Sequence, residues 1–337
     1  MKQTKIIATI GPASWDVPML VKLVEAGVNI ARINFSHGDE ESLSHIVDKI
    51  RKAEKQIGKK IEILQDLSGP KIRTGDFVDG EIYLKKGSHL IIHSENILGN
   101  NKEFSISYPN LFSGLKKGER IFLNDGKQEL KILEKDDKKL KVEVLRGGKI
   151  VSRRGVNLPD SNLTVSSLTE KDKKDLEFAK KFQPDYIALS FVKDASSVEE
   201  LRKILKEKKI KAKIISKIET KSAVNNLKEI ISSSDAVMVA RGDLGVEIGF
   251  EKVPLVQKKI INICNRTSVP EIVATQMLES MIHSPVPTRA EVSDVYNAVQ
   301  AGADMVMLSA ETATGEFPLE AVKMMAKVIR EAENNIF

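Results

Sequence analysis

Eight short apolar runs, seven of them followed by a longer amphipathic one, recur along this chain, and no other feature restricts its fold as strongly. The strand-like runs are Lys5–Ile10, Val28–Asn34, Ile61–Leu67, Tyr186–Phe191, Lys213–Ile218, Ala236–Ala240, Glu271–Ala274 and Asp304–Ser309. Helix-like stretches are Pro18–Ala26, Glu40–Ile57, Ser197–Lys208, Ala223–Ser232, Pro254–Thr267, Arg289–Ala301 and Leu319–Glu333. A strand followed by a helix or an interruption implies parallel strands joined by crossover helices. Eight such strands predict an α/β protein of the (β/α)8 TIM-barrel class, ahead of an open doubly wound sheet. Helix-start chemistry agrees. Asp39, Ser196 and Thr288 stand where caps belong, and Pro18, Pro254 and Pro318 fall in first turns.

The alternation breaks between the third and fourth strands. Roughly Thr74–Gly155 holds short alternating runs instead: Glu81–Leu84, His89–His93, Arg120–Leu123, Glu129–Leu133 and Lys139–Leu145. Turn signals such as Asp79-Gly80, Asn124-Asp125-Gly126 and Gly147-Gly148 separate them. The expected organisation is a catalytic barrel of 1–72 and 156–337 and a small all-β domain of 73–155 inserted in a βα loop. Such loops lie on the catalytic rim, so the insert is placed to close as a lid.

Composition narrows the class further. The 337 residues are 41% hydrophobic and 30% charged, which excludes disorder, collagen and a disulfide scaffold. The longest apolar runs are far too short to span a bilayer, and no signal peptide fits before Gly11-Pro12. The single cysteine, Cys264, forms no intrachain disulfide and reads as a buried structural thiol. A cytoplasmic location is expected. The net charge of +6 is a mild excess spread over lysine-rich runs such as Lys206–Lys213. No basic stretch interleaves aromatics, so no nucleic-acid partner and no membrane partner are expected.

In a (β/α)8 barrel the site forms at the C-terminal ends of the strands. Six strand ends carry polar groups. They are Arg32-Ile33-Asn34-Phe35-Ser36-His37, Asp66-Leu67-Ser68 with Lys71 and Arg73, Lys217-Ile218-Glu219, Arg241-Gly242-Asp243, Thr275-Gln276, and Ser309-Ala310-Glu311. Several recur at i, i+2, which sets Arg32/Asn34/Ser36, Lys217/Glu219, Arg241/Asp243 and Ser309/Glu311 on one side of an extended chain. One such pair is usually a solvated strand end. Six converging on one rim read as a site. Glu219 and Asp243 are hard oxygen donors suited to Mg2+ or Mn2+. Arg32, Arg73 and Lys217 add the positive charge that a transferring phosphoryl group requires.

These motifs resemble the pyruvate kinase family. The similarity rests on Thr4–Ser14, Ala31–Gly38, Ile215–Glu219, Met238–Glu247, Ala274–Met281 and Leu308–Ala313, and it covers essentially the whole chain. It implies phosphoryl transfer from phosphoenolpyruvate to ADP, giving pyruvate and ATP. By the same resemblance Glu219 and Asp243 hold the divalent metal, and Lys217 stabilises the phosphoryl group in transit. Arg32, Lys217, Gly242, Asp243 and Thr275 contact phosphoenolpyruvate or pyruvate. Asn34, Ser36, His37, Arg73 and Arg154 surround the nucleotide. Water near Thr275, Ser309 and Glu311 protonates the enolate. The family's K+ ligands correspond to Asn34, Ser36, Asp66 and the backbone of Leu67.

Two departures alter these expectations. Most K+-dependent members carry Glu where this chain has Lys71, whose ammonium can stand in the K+ position, so activity without added K+ is expected. The chain also ends at Phe337, where family members typically continue into a C-terminal domain. The expectation is a short form, natural or truncated, without sugar-phosphate activation through that domain, and a homo-oligomer through other helices is compatible with it. Two competing functions remain at this stage. A metal-dependent lyase or aldolase of pyruvate-like acids would use Lys217 as a Schiff base, and a non-catalytic metabolite binder would need no intact Lys217, Glu219 and Asp243.

Overall fold

The computed structural model describes residues 4–36, 38–106, 108, 111–161 and 166–335. In chain order the first elements are β1 (Lys5–Thr9), α1 (Val17–Glu25), β2 (Val28–Asn34), α2 (Glu40–Ile57) and β3 (Glu62–Asp66). A run of short strands follows: β4 (Glu81–Leu84), β5 (His89–His93), β6 (Glu103–Ser105), β7 (Arg120–Leu123), β8 (Gln128–Lys135), β9 (Lys139–Arg146), β10 (Gly148–Val151) and β11 (Val156–Asn157). The alternation then resumes with α3 (Glu170–Phe182), β12 (Tyr186–Leu189), α4 (Ala195–Lys208), β13 (Lys213–Ile218), α5 (Lys221–Asn225), α6 (Leu227–Ser233) and β14 (Ala236–Ala240). The last part holds α7 (Arg241–Ile248), α8 (Val253–Thr267), β15 (Glu271–Ala274), α9 (Arg289–Gln300), β16 (Met305–Leu308), α10 (Ala310–Ala313) and α11 (Pro318–Asn334).

Eight of these strands close on themselves in the order β1-β16-β15-β14-β13-β12-β3-β2. Every neighbouring pair is parallel, including the closing pair of β1 and β2. The α/β barrel expected from the alternation is therefore present. Its interior is one apolar cluster that includes Ile7, Ile30, Leu64, Ala188, Ile215, Met238, Ile272, Ala274 and Met307. Alternate residues of the same strands, such as Ile6, Ala8, Ile63, Val273 and Val306, face the helices instead. This is the period of two acting on strands buried on both sides.

Local chemistry explains where the helices start. Asp39 caps α2 in a reciprocal pair with Ser42, and Thr288 caps α9 with Glu291. The cap of α4 is Asp194 rather than Ser196; its carboxylate accepts the Ser197 amide at 3.1 Å. Helix α3 carries no clear apolar signal in the sequence because charged residues dominate it, and only Leu176, Phe178 and Ala179 give it a buried apolar face. Phe178 and Phe182 fix it in place through ring contacts with Phe35, at centroid distances of 6.1 and 6.5 Å.

Compactness divides the chain into two units. The first takes in the residues up to Gly69, Ser167–Arg241 and those from Lys252 onward, and contains the barrel. The second comprises Pro70–Ser166 and Gly242–Glu251. It holds a six-stranded sheet, β11-β7-β8-β9-β5-β6, and the pair β10-β4, wrapped around its own core of Leu90, Ile92, Phe104, Leu130, Val142 and neighbours. This unit is wider than the expected 73–155. It gains Gly242–Glu251 because Val246 and Phe250 pack beside Gly126.

Cys264 is fully buried on α8, and burial pushes its thiol up to about 12. Native protein at pH 8 is expected to resist iodoacetamide. A mass shift at Cys264 should appear only after unfolding, and rapid labelling of the folded chain would contradict this.

Candidate active site

The residues that gather at the C-terminal mouth of the barrel follow from one rule. The interior positions Ile7, Ile30, Leu64, Ala188 and Ile215 are each followed, two residues later, by Thr9, Arg32, Asp66, Ser190 and Lys217. Period two keeps these side chains on the same inner side, so a polar layer sits directly on the apolar core.

Asp66 is the hub of that layer. Its carboxylate accepts Arg32 Nε at 2.8 Å and lies 2.7 Å from Arg32 Nη2. Lys217 Nζ stands 3.4 Å from its other oxygen and 3.5 Å from Glu219 Oε2. The Asp66 side chain is 2% exposed and that of Glu219 1%. Burial alone would raise the Asp66 carboxyl, but the Lys217 and Arg32 cations outweigh it and hold it below the usual carboxylate range. Two cations and two carboxylates thus share one low-dielectric pocket mouth.

Each cation is also aimed. Arg32 Nη1 donates to Thr9 Oγ1 at 2.8 Å, and Thr9 in turn donates to the Leu308 carbonyl at 2.9 Å. Lys217 Nζ donates to Ser190 Oγ at 2.8 Å, and Ser190 donates to the Leu67 carbonyl at 2.7 Å. Glu219 Oε1 accepts the amide of Phe191 at 2.7 Å. Gly69, at φ +62°, leaves room for this arrangement; a Cβ there would meet Ser190 Cβ and a Phe191 ring carbon at 2.9 Å. Sequence reasoning named no residue at the ends of the first and fourth strands, yet Thr9 and Ser190 are the hydrogen-bond partners of Arg32 and Lys217. The signal was their parity with Ile7 and Ala188.

The other sequence-based candidates are distributed as follows. Asn34 Oδ1 accepts the Ser36 amide at 3.1 Å, so these two shape the turn after β2. His37 lies outside the described residues. Glu311 is buried, which raises its carboxyl, and both its oxygens are engaged: one accepts the Leu278 amide at 3.2 Å, the other the Ser309 amide at 2.7 Å. The extended pairing expected for Arg241/Asp243 and for Ser309/Glu311 fails, because Arg241 opens α7 and Glu311 lies in α10. The Gly242–Gly245 segment is likewise helical, with Asp243 in its first turn. In the second unit, Arg73 bridges to Gly155 and its Nη1 donates to the Arg153 carbonyl at 3.1 Å. The Arg154 amide donates to Thr74 Oγ1 at 3.0 Å, so Arg73 and Arg154 lie on paired segments. Lys71 Cε is 3.4 Å from where a Cβ on Gly155 would stand.

Among the described residues no three His, Cys, Asp or Glu side chains converge as a metal cage. Glu219 follows β13 and Asp243 lies in the first turn of α7; both side chains are carboxylates, the hard-donor type a divalent cation favours. No helix among the described residues is long and apolar enough to cross a membrane.

A family model for the pyruvate kinase barrel domain matches residues 1–322. The chain belongs to the pyruvate kinase family. Curated pyruvate kinases of Staphylococcus aureus strains MRSA252 and USA300 are each 46% identical to it over 335 residues, 99% of this chain. The chain spans 57% of the length of these relatives. Membership of the pyruvate kinase family agrees with the closed barrel and with the cation–carboxylate cluster at its mouth.

Proposed function

We propose that the chain transfers a phosphoryl group from phosphoenolpyruvate to an ADP β-phosphate oxygen, leaving the pyruvate enolate and forming ATP. The observation that carries this reading is the fixed pair of cations, Arg32 and Lys217, held by Asp66 and Glu219 in a buried barrel mouth. A phosphoryl group in flight spreads negative charge over its oxygens, and preorganised cations in a water-poor site stabilise that charge without reorganising. Lys217, anchored by Ser190, faces the migrating group. Arg32, braced by Asp66 and Thr9, binds the phosphate of phosphoenolpyruvate, with Gly242, Asp243 and Thr275 completing that subsite. Asn34, Ser36, His37, Arg73 and Arg154 take the nucleotide. Glu219 and Asp243 would hold Mg2+ or Mn2+, which neutralises phosphate and carboxylate oxygens when bound. After transfer the enolate carbon takes a proton from water near Thr275 and Ser309. Glu311, with both oxygens on main-chain amides, positions that region. The single buried thiol suits a reducing cytoplasm.

Lyase chemistry would require Lys217 as a neutral nucleophile. An ammonium set between Asp66 and Glu219 is a fixed cation instead. The deciding assay couples pyruvate formation to a dehydrogenase, with phosphoenolpyruvate, ADP and Mg2+, in K+-free and K+-containing buffer. Turnover in both buffers is expected, because the Lys71 ammonium supplies the monovalent charge. Lys71→Glu should make the rate K+-dependent. A strict K+ requirement of the unaltered chain would remove this part of the reading, and a borohydride-trapped pyruvate adduct on Lys217 would replace the whole.

A further inference from the structure

Two adjacent non-glycine residues, Thr275 at φ +70° and Gln276 at φ +53°, occupy the left-handed region directly after β15. For a β-branched residue such as Thr275 this is a true outlier, and outliers persist only where their surroundings over-determine them. Among those surroundings one side chain grips the turn directly. Arg241 Nε donates to the carbonyls of Ala274 and Thr275, each at 3.2 Å. Its Nη2 donates to the same Thr275 carbonyl and meets Met277 Sδ at 2.9 Å. Its Nη1 donates to Asp294 Oδ2 at 2.6 Å, and the Arg241 side chain is only 10% exposed.

A fork of two N–H groups on one carbonyl fixes a peptide plane. The plane of the Thr275 carbonyl is set by ψ of Thr275 and φ of Gln276, the torsions of the strained pair. We propose that Arg241 is the positioning residue that imposes the left-handed turn at Thr275–Gln276, and that Asp294 on α9 aims it. Thr275 is thereby presented to the substrate in an orientation its own backbone preferences would not select. This inference rests on the proposed function for its catalytic readout, but its structural readout stands alone.

The structural arm uses thermal unfolding. Arg241→Met should lower the melting temperature by several degrees. In a Gln276→Gly background, where φ > 0 carries no steric cost, the same change should lower it by more, because losing the Arg241 hydrogen bonds no longer releases strain at residue 276. The catalytic arm measures kcat and KM for phosphoenolpyruvate. Arg241→Lys has one ammonium in place of a planar fork, so it cannot serve both the Thr275 carbonyl and Asp294. It should lose about 10²-fold in kcat, the scale of an ångström's misplacement, with a much smaller change in KM. Asp294→Ala should follow Arg241→Lys, and Asp294→Asn, which still accepts the Nη1 hydrogen bond, should restore most of the rate. Equal destabilisation in both backgrounds overturns the proposal, as does an Arg241→Lys enzyme with unaltered kcat. If the unaltered chain forms no pyruvate, the function fails while the unfolding arm still decides the role of Arg241.

Discussion

Replacing Lys217 by methionine should remove nearly all turnover and leave the folded chain intact. The substitution keeps most of the side chain's apolar stem and deletes only the ammonium that donates to Ser190 and sits within 3.5 Å of Asp66 and Glu219. A single preorganised charge aimed at a developing phosphoryl charge is worth about 10³-fold in rate. The loss should fall on kcat, with a smaller rise in the KM for phosphoenolpyruvate. Mn2+ binding, followed by electron paramagnetic resonance, should persist because Glu219 and Asp243 remain. Far-ultraviolet circular dichroism should match the unaltered protein. A Lys217→Met enzyme within tenfold of the original rate would exclude Lys217 from the transfer step.

Asp66→Ala should be the most destabilising single change at the site. The carboxylate is 2% exposed and satisfies the Arg32 fork and the Lys217 ammonium together. Its removal leaves two cations in a buried mouth with Glu219 as the remaining carboxylate near Lys217. Breaking a buried pair from one side costs about 3–5 kcal/mol, readable as a lower urea midpoint with an unchanged slope. The pH dependence has a definite sign. The native Asp66 carboxyl lies below its ordinary value of 3.8, so its stabilisation is fully present above that value and is lost as pH falls through the native one. The gap between the unaltered protein and Asp66→Asn should therefore be widest at neutral pH and close in acid. A gap that does not change with pH would show that the Asp66 charge carries no stability.

Most of the barrel was legible because two-sided burial leaves near-continuous apolar runs, such as Ala236–Ala240, at regular intervals. The strands of the insert were legible by alternation and turn residues; Glu81–Leu84 and His89–His93 match the sequence reading residue for residue. Helix α3 was not, because its apolar face comes from Phe178 and Phe182 packing on Phe35, a residue more than a hundred positions away that no local window reaches. The charged members of the site were legible as charges at strand ends. Thr9 and Ser190 were not, since a hydroxyl at a strand end is unremarkable until parity with Ile7 and Ala188 marks it as inward. The Arg241/Asp243 pair was misjudged for a physical reason: helix α7 begins where an extended chain was assumed, so spacing by two no longer means a shared side. The grouping of Gly242–Glu251 with the β unit depends on Val246 and Phe250 meeting the Gly126 turn, a contact between segments more than a hundred residues apart.

The most direct test follows phosphorus. With phosphoenolpyruvate, ADP and Mg2+, ³¹P nuclear magnetic resonance should show the phosphoenolpyruvate signal fall as an ATP γ-phosphate signal rises in equal amount, and neither should change with Lys217→Met. An unchanged phosphoenolpyruvate signal with the folded, unaltered chain, or its conversion to inorganic phosphate alone, would contradict transfer at this barrel mouth.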